Sequence, residues 1–124
     1  MDKITFTREF ALTLGNALAE DHASLVAKET DPHDKRQHKT TLGQFNQALM
    51  FLAEHTPVHV TGDVWIVPSK GTGRPHRIHS NTDKCDCELG LLSQTCWASI
   101  AVNLWTTAVA EAEAVAKREE INNA

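Results

Sequence analysis

Val58-His59-Val60-Thr61-Gly62-Asp63-Val64-Trp65-Ile66-Val67 is the stretch on which the fold turns. Val58 and Val60 alternate with His59 and Thr61, a period-two pattern that reads as a short strand. Gly62-Asp63 supplies a turn, and Val64–Val67 is β-branched and aromatic, good strand material. Ser69 to Pro75 reads as a glycine-rich turn, after which His76-Arg77-Ile78-His79 can return as a partner strand. Two or three short antiparallel strands therefore occupy the middle of the chain.

Helical spacing lies on both sides of them. Residues 7–29 carry Phe10, Leu14, Ala17, Leu18 and Leu25 at three- and four-residue intervals, with Thr7 placed to cap and Gly15 and Asn16 weakening the middle. Residues 30–40 show no periodicity and read as a polar loop. Residues 42–55 read as a second helix, with Thr41 and Gln44 in capping-box spacing, Phe45, Ala48, Leu49 and Leu52 on the buried face, and Pro57 marking the end. A long last helix runs from about Thr95 to Glu119, its stripe made by Ile100, Ala101, Leu104, Trp105, Ala108, Ala112 and Val115. The order α-α-β-β-knuckle-α is an α+β pattern, not the alternation of a parallel α/β sheet.

The chain has 124 residues, one domain's worth, with a helical part over 1–57 and a finger plus last helix over 58–124. Its apolar fraction of 41% supports a modest core, and its charged fraction of 23% is that of an ordinary folded protein. The start, Met1-Asp2-Lys3-Ile4-Thr5, is mixed in charge with no apolar run behind it, and no stretch approaches a bilayer span. The expected setting is cytoplasmic, away from membranes.

The chemistry-bearing residues are Cys85-Asp86-Cys87 and, nine residues on, Cys96-Trp97-Ala98. Three cysteines are poor material for a disulfide framework. Zinc takes four ligands at tetrahedral angles and binds thiolates well. Two cysteines flanking one residue can turn toward one ion, and a third at a helix start closes the site while the helix N–H groups favour its thiolate.

This segment resembles the SWIM zinc finger, a Cys-x-Cys step, a variable gap and a Cys-x-His step, preceded by a β-hairpin and followed by a helix. The resemblance runs from Asp63 to about Trp105: Asp63–Ser69 and Arg77–Asn81 are similar to its two strands, Cys85-Asp86-Cys87-Glu88 to its first step, and Cys96-Trp97-Ala98-Ser99-Ile100-Ala101-Val102 to its second step and helix. Ala98 stands where the family places histidine, and no histidine follows His79. Three arrangements stay open: a fourth ligand from the hairpin, with His79 chosen and His76 beside it; three cysteines with water or a partner's group; or a metal-free knuckle.

SWIM fingers bind nucleic acid or protein partners, so the resemblance implies a non-enzymatic zinc-binding module with one of those partners. The formal net charge is −4, yet Lys70, Arg74, Arg77 and Lys84 form a local basic strip that can meet phosphates. A protein-interaction scaffold with a degenerate finger is the alternative, and self-association through the alanine-rich last helix, by Val109 and Val115, is a further expectation. A zinc hydrolase ranks below both, because no general base or oxyanion donor stands out near the cysteines.

Overall fold

The computed structural model describes residues 2–68, 74–82, 84–87 and 96–122. Three helices and a four-stranded antiparallel sheet follow one another as α1 (Lys3–Lys28), α2 (Pro32–Glu54), β1 (Val58–Thr61), β2 (Val64–Val67), β3 (His76–His79), β4 (Lys84–Cys85) and α3 (Trp97–Asn122). The α+β arrangement expected from the sequence is the one observed, with one strand more than the two or three anticipated. That strand, β4, is two residues long, and its cysteine, Cys85, lies opposite Ile78 of β3.

Both N-terminal helices begin earlier than their apolar stripes suggest, because aspartates cap them. Asp2 accepts a hydrogen bond from the Thr5 N–H at 2.8 Å, so α1 starts at Lys3 rather than Thr7. Asp31 accepts from the N–H groups of His33 and Asp34 at 2.9 and 3.0 Å, and Pro32 occupies the first helical position. Proline loses no bond there, since the first N–H groups of a helix have no partner within it. Residues 32–40, read as loop for want of periodicity, are therefore the opening turns of α2. Thr41 lies inside that helix and caps nothing.

The helices meet along small residues. The buried positions of α1 are Thr7, Ala11, Gly15 and Ala19, one residue every four, while Phe10, Leu14 and Leu18 flank this seam half-buried. Ala17 and Leu25, counted in the expected stripe, are exposed. A Cβ on Gly15 would come within 2.5 Å of Leu49 Cδ2 and 2.9 Å of Leu104 Cδ1, so this glycine lets three helices converge. Ala48 and Leu52 of α2 and Leu104, Trp105 and Ala108 of α3 complete the interior. Burying side chains such as Leu52 and Leu104 contributes on the order of 2 kcal/mol each.

Arg8 ties α1 to the end of α2. Its Nη1 donates to the carbonyls of Leu52 and His55 at 2.6 and 2.9 Å, and its Nη2 donates to Thr56 Oγ1 at 3.0 Å. These are carbonyls that a helix end leaves without internal donors. The guanidinium also lies 5.7 Å from the centre of the Trp105 ring.

The sheet is a simple meander in the order β1-β2-β3-β4 and meets the helices through α3. Gly62 turns the first hairpin in the left-handed region, at φ 52°. One face, with Trp65, Val67, His76, Ile78 and Cys85, is turned to α3; the opposite face carries Ile66, Arg77, His79 and Lys84. Strand β1 is exposed at all four residues. Along α3, Ala101, Leu104, Trp105, Ala108 and Ala112 are buried as the stripe predicts, and Val109 packs against the core. No helix among the described residues is long and apolar enough to cross a membrane.

Candidate metal centre

Strand alternation decides which histidine meets the cysteines. His76 and Ile78 share the face turned to α3, and Ile78 is paired with Cys85. His79 is three residues from His76, an odd step, and so leaves from the other face. The structure thus gathers His76, Cys85, Cys87 and Cys96, whose donor atoms all lie within 4.8 Å of one another. His79, the fourth ligand expected from the sequence, is not in this cluster. It stands between two carboxylates instead, its Nδ1 3.8 Å from Asp63 Oδ2 and its Nε2 3.7 Å from Asp86 Oδ1.

Each donor is placed by a different segment. Cys85 comes from β4, and Cys87 from the turn after it, where its N–H donates to Cys85 Sγ at 3.4 Å. Cys96 sits immediately before α3, its carbonyl accepting from the Ile100 N–H and from Ser99 Oγ. His76 Nδ1 lies 3.2 Å from Cys85 Sγ and 3.8 Å from Cys96 Sγ. Tetrahedral zinc with bonds of about 2.3 Å to sulfur and about 2.0 Å to nitrogen sets its donors roughly 3.5–3.8 Å apart. The separations of His76 Nδ1 from the Cys85 and Cys96 sulfurs, 3.2 and 3.8 Å, bracket that spacing, and no pair of donors is more than 4.8 Å apart.

Electrostatics within the cluster favour one thiolate. The Cys96 thiol is lowered to about 5, first by the hydrogen bond it receives from Cys85, then by the Ala98 N–H, Cys87 and the charge of His76, against the opposing effect of burial. Cys85, which gives that hydrogen bond and is itself buried, is pushed up. Three sulfurs this close repel one another when ionised together, and a cation between them relieves that repulsion.

Surrounding residues fix the donors. Trp97 packs edge-on against the His76 ring with centroids 5.2 Å apart, and Phe51 of α2 lies 5.6 Å from Trp97. Gln44 Oε1 accepts the Trp97 N–H at 2.8 Å, so a side chain of α2 caps the start of α3 beside Cys96. The sequence offered no sign of this role, because Gln44 and Trp97 are 53 residues apart. Ala98, where a SWIM finger has histidine, is fully buried.

Of the basic strip, Arg74 and Arg77 line a single cleft beside Cys87, whereas Lys84 is on β4 opposite His79. Lys70 lies outside the described residues. No protein-family model, no curated protein and no solved structure matches this chain. The likeness to SWIM fingers therefore rests on the cysteine spacing, and the candidate metal site on four clustered donors.

Proposed function

We propose that this chain is a small zinc-binding module, SWIM-like in its cysteine steps, in which His76 replaces the family's last histidine. It is a non-enzymatic protein that binds nucleic acid through the finger. The observation that carries the reading is the convergence of His76 with Cys85, Cys87 and Cys96. Four protein donors fill a tetrahedral ion and leave no position for a substrate, the pattern of structural rather than catalytic zinc. When bound, zinc supplies a cross-link between β3, β4 and the start of α3. The β3–β4 pair is short, and metal binding would add folding free energy where few apolar contacts are available.

A second reading, a scaffold for a protein partner, is favoured by an apolar cleft of about 440 Å³ lined by Met50, Phe51, Pro68 and Trp97, with Met50 65% exposed. Cobalt(II) substitution tests the centre. Intense visible d–d absorption with thiolate charge-transfer bands in the near ultraviolet is the expected spectrum, with the d–d bands shifted and the affinity lowered in His76→Ala. A pale octahedral spectrum would refute the ligand set.

A further inference from the structure

The candidate centre is not sealed. A cleft of about 560 Å³ opens beside it, lined by Ile66, Arg74, Pro75, Arg77 and Asp86 together with the ligand candidates His76 and Cys87. Arg74 and Arg77 are exposed and make no ion pair among the described residues. The carboxylate that shares the cleft, Asp86, lies 3.7 Å from His79 Nε2. Pro75 restricts Arg74 to extended backbone, and Arg77 is held in β3 opposite Ile66. Both cations are therefore presented from constrained backbone.

We infer that this cleft is a phosphate subsite, in which Arg74 and Arg77 hold the sugar–phosphate backbone of a nucleic-acid strand against the metal finger. The inference rests on the nucleic-acid reading proposed above and gives it a location. A guanidinium offers a planar fork of donors that matches phosphate oxygens. The chain as a whole carries −4 and repels a polyanion, so contact must be local, where cations outnumber acids. Lys84, on the neighbouring strand β4 and diagonal to Arg77 on the same sheet face, adds a third cation, while Asp86 lies directly across from Arg77. Such contacts position a strand without reading its bases.

The arginines have one competing role. Zinc with three thiolates and a neutral imidazole carries a net negative charge, which nearby guanidinium groups would offset. The two roles separate by experiment. Zinc-loaded full-length chain is titrated into a fluorescein-labelled 20-mer oligothymidylate, followed by anisotropy over a range of salt concentrations, with zinc content measured on every sample. The variants are Arg74→Ala/Arg77→Ala and, as a control for net charge, Lys28→Ala/Lys39→Ala on the helices. The arginine pair is expected to weaken binding by about tenfold or more and to reduce the salt slope by about 1.4, for two phosphate contacts on a single strand. Zinc content stays unchanged, and the control shifts affinity less than about twofold. Arg74→Lys/Arg77→Lys, which keeps the charge without the fork, is expected between the two.

Equal binding by parent and arginine variant would overturn the subsite, as would a zinc-loaded parent that binds no oligonucleotide. Loss of zinc in the arginine variant would also overturn it, by assigning the arginines to the centre. Binding of inorganic phosphate without the oligonucleotide would overturn the nucleic-acid assignment. None of these outcomes removes zinc from the parent chain, so failure here is distinct from failure of the metal centre.

Discussion

His76 Nδ1 stands 3.2 Å from Cys85 Sγ, so that β3 and β4 each present one donor to the same point. Cys96 approaches the same imidazole from the start of α3, with Sγ 3.8 Å from Nδ1. A hairpin and a helix that are otherwise joined by few contacts are thus brought to one focus.

The two hairpin histidines should separate cleanly. His76→Ala is expected to weaken zinc binding by at least about 100-fold, more than the loss typical of a residue that merely orients a ligand. His79→Ala, which removes a side chain facing Asp63 and Asp86, should change it by less than about threefold. Competition with a chromophoric chelator measures both. A larger effect from His79 than from His76 would refute the ligand assignment.

Without metal, Cys96 should ionise well below Cys85. Cys96 is lowered to about 5 in the fold against an ordinary value of 9.0, so its ionisation stabilises the folded state in full above about pH 9. That contribution shrinks as pH falls and is gone once pH drops through about 5. Cys85 is shifted the other way, so its contribution is present below its ordinary value and is lost only at more alkaline pH. Metal-free, reduced chain should therefore show about one thiolate per molecule at neutral pH by ultraviolet absorbance, and Cys96→Ser should abolish it. Equal thiolate absorbance in parent and Cys96→Ser at neutral pH would contradict this.

Removing the Arg8 clasp should loosen the α1–α2 pair. Arg8→Ala deletes bonds to Leu52, His55 and Thr56 and is expected to cost about 1–3 kcal/mol in urea unfolding. Arg8→Lys should recover only part, since an ammonium cannot reproduce the fork. A loss below about 0.5 kcal/mol would show that water replaces these bonds without penalty.

Gly15 offers a test of the helix seam. Alanine there improves helix propensity by about 1 kcal/mol. Its Cβ, however, meets Leu49 Cδ2 at 2.5 Å and Leu104 Cδ1 at 2.9 Å, and Leu104 is only 1% exposed. Overpacking of this kind costs about 1–3 kcal/mol, so Gly15→Ala should destabilise by about 1 kcal/mol net. A stabilised variant would mean that the helices separate more easily than the packing implies.

The sequence carried the element order and the cysteine focus because these depend on local periodicity and spacing. Val64–Val67 and the stripe of α3 behave as their patterns demand. The first turns of α2 escaped because Asp31-Pro32, a cap followed by a proline at the first helical position, is a two-residue signal ahead of a polar stretch with no apolar stripe. The choice between His76 and His79 escaped for another reason. Alternation says that they lie on opposite faces, but only the pairing of Ile78 with Cys85 says which face meets the cysteines. Gln44 was out of reach altogether, since its acceptor role depends on how α2 packs beside the start of α3.

The most direct measurement is the zinc content of the chain purified without added metal, by elemental analysis, alongside Cys85→Ser/Cys96→Ser. About one zinc per chain is the expected result, falling to near zero in the double variant. A parent chain with full helical circular dichroism, titratable thiols and no zinc would contradict it.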